Sequence, residues 1–162
     1  MDVSVRHVPS CQIETCLATI TSVFCSAFRR VDRVNVENLI QAEVQQGHHY
    51  LVAIADGQIH GFVSWAMRYE PRHQIAELVH IGTNPYGPRG LGRPLIAAME
   101  ADIRDFFQDR SLSGIRMIYI LTHADNPPAH NLYERCGYKH AATIPSFFRA
   151  GMDEYMFTKH FE

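Results

Sequence analysis

Apolar positions along the chain switch between two periods, and the switches mark out its elements. Val3-Ser4-Val5-Arg6-His7-Val8 alternates and reads as a first strand, closed by Pro9. Ser10 is placed to cap a helix in which Ile13, Leu17, Ile20, Phe24 and Phe28 recur at steps of three and four. A second helix is expected over residues 35–46, with Val36, Leu39, Ile40 and Val44 inward and Gly47 as its stop. Residues 50–55 and 59–67 form a hairpin around Asp56-Gly57, a favoured tight-turn pair. After a turn at Pro71-Arg72-His73 comes a largely buried strand carrying Ile75, Leu78, Val79 and Ile81. Asn84-Pro85 and Tyr86-Gly87-Pro88 end it. Gly90-Leu91-Gly92 then opens a helix along which Leu95, Met99, Ile103 and Phe106 recur, reinforced by Ile96 and Phe107. Ser113-Gly114 breaks the pattern before a dense β-run over residues 115–121. Asn126 and two prolines start a short helix that Gly137 stops, and residues 139–144 and 154–161 close the chain as strands, with residues 145–151 connecting them. The order β-α-α-β-β-β-α-β-α-β-β excludes a doubly wound sheet of βαβ units. It points to α+β.

Composition narrows the function classes. For 162 residues the expectation is a single domain over 1–162, long enough for a sizeable core. A charged fraction of 20% and a formal charge of −2 advertise no basic face, which argues against nucleic acid as a primary partner. Cys11, Cys16, Cys25 and Cys136 show no CxxC, and the first three lie in one helical apolar run. That suits buried, reduced thiols in a cytoplasmic protein. His48-His49 are the only metal-ligating neighbours, without HxxxH or HExxH, so no metal is expected. The uncharged run over residues 15–28 follows Glu14 rather than a basic region and is short for a bilayer span. Neither export nor membrane insertion is expected.

One stretch carries a hint of chemistry. Gly90 and Gly92 let the backbone approach a ligand closely, at the start of a helix whose first N–H groups have no intrahelical partner. With Arg89 and Arg93 flanking it, this end of the helix suits a phosphate and is a candidate pyrophosphate site. A P-loop would need GxxxxGK[ST], and no lysine follows either glycine. A Rossmann fingerprint would need a third glycine where Leu95 stands. Taken alone, the loop reads equally well as a surface turn before a helix.

The loop is similar to the signature of the GNAT acetyltransferases, [QR]-x-x-G-x-[GA], over Gly87-Pro88-Arg89-Gly90-Leu91-Gly92, with Arg93 and Leu95 continuing the match. Gly87 stands where Gln or Arg is usual, and Pro88 removes one N–H that the family aims at the pyrophosphate. A second stretch resembles the same family more specifically. The pattern N-x-x-A-x-x-L-Y-E-x-x-G-[FY] is matched at Asn126, Ala129, Leu132, Tyr133, Glu134, Gly137 and Tyr138. The resemblance implies a mixed, mostly antiparallel sheet with helices on both faces. It implies direct transfer of acetyl from acetyl-CoA to a primary amine of a small molecule or peptide, with no metal and no covalent enzyme intermediate. It also implies a pantetheine arm along the backbone of Ile81, Gly82 and Thr83, and a pyrophosphate at Arg89, Gly90, Leu91, Gly92 and Arg93. Asn126, Ala129 and Tyr133 would border the cofactor further on. The alternative is a degenerate acyl-CoA-binding sensor without turnover, motivated by Gly87 and Pro88.

Acetyl transfer needs a neutral amine and a proton for the departing thiolate. By resemblance, Tyr133 is the proton donor, and Glu77 stands where histone-type members carry a glutamate base, one residue nearer the glycine loop. Its strand is otherwise rich in Leu, Val and Ile, and partial desolvation of a carboxylate suits a base. His80 is the runner-up and, three residues on, faces the opposite side of an ordinary strand. Trp65 and Tyr69 could border an acceptor pocket. Phe147, Phe148 and Met152 form an apolar patch that could face the acceptor, a second copy in a homodimer or only the sheet.

Overall fold

The alternating first strand lies at the edge of a sheet. β1 (Val3–Val8) pairs antiparallel with β2 (His49–Ala55), and β2 with β3 (Gln58–Arg68), so that Val8 lies opposite Tyr50 and His49 opposite Trp65. The structure, a computed structural model, describes residues 2–162. The remaining strands are β4 (Ile75–Thr83), β5 (Met117–His123), β6 (Lys139–Arg149) and β7 (Met152–His160), in the sheet order β1-β2-β3-β4-β5-β7-β6. The expected order of strands and helices holds throughout. Two compact units divide the chain: Met1–Ala66 with His80–Asp102, and Met67–Val79 with Ile103–Glu162.

In the first unit, period-two alternation sorts the side chains of β2 between two faces. Tyr50 and Val52 join Phe62 in a core against helices α1 (Ile13–Phe28) and α2 (Arg33–Gln45), which contribute Ile20, Phe24, Val36 and Ile40. His49 points to the opposite face and stacks on Trp65, whose indole N–H donates to Asp102 of helix α3 (Gly92–Gln108). With the 3-10 turn Ser10–Gln12 ahead of it, α1 is long and apolar enough to cross a membrane by length and composition. Its face of Ile13, Cys16, Leu17, Ile20, Val23 and Phe24 is buried in the protein, as in an ordinary core helix.

Two helix starts differ from expectation. Ser10 opens the 3-10 turn, and Gln12 precedes α1 without a side-chain cap. The second helix begins earlier, because Asp32 accepts from the Asn35 backbone N–H at 3.0 Å and from its side-chain amide at 2.6 Å. A carboxylate there also meets the positive end of the dipole.

In the second unit, β5 runs parallel to the start of β4, from Ile75 opposite Met117 to Leu78 opposite Ile120, and antiparallel to β7. β7 pairs in turn with β6. Residues 145–151 are not a long connection: β6 continues to Arg149 and β7 begins at Met152. Register shifts after His140 and Ile144 absorb Pro145, which cannot donate a ladder bond. Phe147 and Phe148 therefore lie on a strand, mostly exposed. Helix α4 (Pro127–Arg135) packs Tyr133 against Phe157 and Tyr138.

The Asp32 cap predicts that Asp32→Ala lowers unfolding free energy by about 1 kcal/mol, while Asp32→Asn costs a few tenths. Urea denaturation midpoints of the two variants check it.

Candidate active site

The glycine loop is built as a helix entry. Gly90 has φ +81°, a left-handed conformation that disfavours other residues, and open space surrounds the position a Cβ would take. Leu95 N–H to the Leu91 carbonyl, 3.1 Å, is the first rung of α3, so the N–H groups ahead of it stand outside the helical ladder. Arg89 and Arg93 are exposed beside them. Gly87 has a packing reason: a Cβ would come within 2.9 Å of His60 Nδ1, while its own N–H closes a turn on the Asn84 carbonyl at 3.0 Å. A longer residue there would have to displace His60.

Strand β4 carries both candidate proton acceptors, and each has definite partners. Glu77 lies opposite Tyr119 in the parallel ladder; its Oε2 accepts from Arg68 at 2.6 Å and from the Tyr119 hydroxyl at 3.1 Å. Burial alone would lower the Arg68 guanidinium, but Glu77 and Tyr119 outweigh it and hold it charged. Burial, then the Glu77 carboxylate, push the Tyr119 phenol up to about 12. Glu77 is thus one corner of an Arg–Glu–Tyr cluster.

His80 has a different setting. Its Nε2 lies 2.8 Å from Oε1 of Glu43 on α2, and its ring meets Phe24 edge-on at 5.1 Å and Phe28 at 6.3 Å. Glu43 is 7% exposed, and its other oxygen accepts the Tyr50 hydroxyl at 2.5 Å with His48 Nδ1 at 3.7 Å. Burial would raise the Glu43 carboxyl; His80 and Tyr50, with His48 near, more than reverse that and hold it below its ordinary value. An ionised Glu43 only accepts, so the hydrogen of this contact sits on His80 Nε2.

Tyr133 sits on α4, 5% exposed, and burial pushes its phenol well above the ordinary tyrosine range, so it stays protonated. Asn126 occupies the N-cap position of α4, but its side chain makes no capping bond. Ala129 lies in the first turn, half-buried. Ile81 and Thr83 are half-buried on β4 and Gly82 is buried between them.

A model of the acetyltransferase (GNAT) family matches residues 17–138. The chain belongs to the GNAT acetyltransferase family. No curated protein sequence matches it. Among solved structures it is similar to a GNAT-family protein from Desulfovibrio desulfuricans, at 22% identity and TM-score 0.76, covering 98% of this chain and 99% of that one. It is similar to spermidine N-acetyltransferase from Vibrio cholerae at 17% identity and TM-score 0.73, covering 98% and 95%. It is also similar to the ribosomal-protein-S18-alanine N-acetyltransferase from Escherichia coli at 17% identity and TM-score 0.73, covering 98% and 94%. These likenesses share the GNAT fold: a central, mostly antiparallel sheet flanked by helices.

Within that GNAT fold, sequence reasoning missed Glu43 and Tyr50. A helix pattern marks Glu43 as one more polar residue, and only the fold brings it under β4. The one available signal was a carboxylate one position before Val44 on the inward stripe. Trp65 is fully buried rather than at a pocket rim, and Tyr69 is 73% exposed at φ +64°.

Glu43 supplies a pH prediction. Its folded-state value is depressed, so its contribution is fully present above the ordinary 4.5 and is lost as pH falls through the folded value. The stability difference between wild type and Glu43→Gln should therefore shrink on acidification below about 4.5. Denaturant unfolding at stepped pH measures it.

Proposed function

We propose that this chain, acting over residues 1–162 as one catalytic domain, is an acetyl-CoA-dependent N-acetyltransferase whose acceptor is a primary amine of a small molecule or peptide. The observation that carries the reading is the match to the acetyltransferase (GNAT) family model over residues 17–138, within which the motif tyrosine, Tyr133, sits buried on α4. Family membership supports the acyl donor. The similar proteins named for spermidine and for a ribosomal-protein alanine support an amine acceptor. The absence of disulfides among the described cysteines fits a reducing cytoplasm.

The residues present fit acetyl-CoA. The open Gly90 turn, the α3 N–H groups and exposed Arg89 and Arg93 suit its pyrophosphate; Pro88 offers no N–H. Leu91 and Gly92 would donate backbone N–H groups there. A pantetheine arm would run along the backbone of Ile81, Gly82 and Thr83 at the end of β4. Asn126, whose side chain is not used as a cap, and Ala129 would border that arm. Acetyl-CoA supplies an activated acetyl group as a thioester. A backbone N–H within Ile81, Gly82 and Thr83 would stabilise negative charge on the carbonyl oxygen, and Tyr133 would give its proton to the leaving sulfur.

Two side chains compete for the amine proton. Position on β4 supports Glu77, whose Oε2 is shared between Arg68 and Tyr119. The geometry around His80 favours the second reading: Glu43 holds the ring through Nε2 and leaves Nδ1 to accept the proton. Glu43 would then carry the resulting imidazolium as its counter-charge.

Three results test this. Acetyl-CoA at a hundredfold excess over its dissociation constant should stabilise the fold by about 2.7 kcal/mol; no thermal shift at millimolar CoA would remove the reading. Tyr133→Phe should keep CoA affinity and lose roughly 10²-fold or more in kcat. An unchanged rate returns Tyr133 to packing. In pH–rate profiles with saturating amine, His80→Gln should lose the acidic limb and most of the rate while Glu77→Gln keeps both. The reverse result assigns the proton to Glu77.

A further inference from the structure

On the face of the first unit opposite α1 and α2, three metal-ligating side chains converge that acyl transfer does not use. His7 comes from β1, His49 from β2 and Asp102 from α3, and one ligand atom from each lies within 4.8 Å of the others. The sheet explains the two histidines. His7 pairs with Leu51, so His49 is its diagonal neighbour on the same face, with ring centroids 5.5 Å apart. The helix supplies the carboxylate, with Asp102 Oδ1 standing 3.3 Å from His7 Nδ1.

That edge has the size a metal demands. Zinc bonds of about 2.0–2.1 Å to nitrogen and oxygen in a tetrahedron place two ligand atoms about 3.3–3.4 Å apart. His7 and Asp102 already sit at that separation, and a ligand atom of His49 lies within 4.8 Å of both. The surroundings have the form of an outer shell. Asp102 Oδ2 accepts the Trp65 indole N–H at 2.7 Å, which fixes the carboxylate and leaves Oδ1 to bind as a single ligand. Trp65 also stacks on the His49 ring at 4.1 Å and 6°, which sets the imidazole plane. Trp65 itself is fully buried, so this support is rigid. Burial would raise the Asp102 carboxyl, but hydrogen bonds from His7 and Trp65, with the charges of His7 and His49, hold it below its ordinary value; Asp102 in turn raises His7, so an entering ion must displace a proton from that ring.

We propose that His7, His49 and Asp102 form a divalent-cation site, matched best to Zn²⁺, with a fourth position open to water. Two imidazoles and one carboxylate are the donor set zinc accepts, and the part-exposed His7 gives the ion a path in. Bound there, the ion would clip the edge strand β1 and its neighbour β2 to α3.

The competing account is a plain His7–Asp102 ion pair. Trp65, the single tryptophan, is an internal reporter that separates the two. Chelator-treated protein is titrated with zinc chloride and followed by tryptophan emission, thermal midpoint and calorimetry. The proposal expects a saturable response at one zinc per chain and a raised midpoint. His49→Gln and Asp102→Asn should each abolish it with the fold intact by circular dichroism, and the exposed control His160→Ala should keep it. Trp65→Phe, read by calorimetry, should weaken zinc about 10–100-fold through the lost outer-shell bond. If Asp102→Asn does not fold, His49→Gln carries the decision, because the His7–Asp102 contact survives it and a three-ligand site does not. No saturable response, or a response that survives His49→Gln, overturns the site.

Discussion

A carboxylate can be buried only where hydrogen bonds replace the water it loses, and Glu43 meets that condition with groups from two strands. Tyr50 of β2 donates to one oxygen and His80 of β4 faces the other. The requirement runs in both directions. Without Glu43, the buried Tyr50 hydroxyl would lose its 2.5 Å acceptor and the His80 Nε2 its 2.8 Å partner. The pairing therefore sets the seat of α2 on the sheet and the orientation of the one imidazole on β4.

The same strand leads directly into the ligand-binding half of the proposal. His80 is followed by Ile81, Gly82 and Thr83, then by the turn at Asn84 and the loop that opens α3. Gly87 departs from the GNAT signature, and a Cβ there would meet His60 Nδ1 at 2.9 Å, so a side chain would have to displace that ring. The departure is thus explained by packing of the loop on β3. It does not by itself argue for a loop that has lost its ligand.

Much of this was legible in the chain. The alternation of β2 and β3, the stripe of α1 and the Gly90 entry to α3 are local patterns, and local patterns survive folding unchanged. The Asn126-to-Tyr138 stretch pointed to the family through its resemblance to the GNAT residue pattern, all of it within one short helix and its stop. What was hidden depends on distance along the chain. Glu43 meets His80, Arg68 meets Glu77, and Asp102 meets His7 only through sheet register and helix seating. Pro145 misled the reading of the last hairpin, because bulges let a strand carry a residue that cannot donate. Asp32 lay before the apolar stripe of α2 and so was overlooked as its cap.

Acyl transfer to an amine is the central claim, and thiol release from acetyl-CoA measures it most directly. The panel is a polyamine, a free amino acid, an aminoglycoside and a peptide with an open N-terminus. The account predicts release that depends on at least one of these amines, with one acetyl group added per thiol by mass. Protein that binds CoA yet releases no amine-dependent thiol across the whole panel would contradict it.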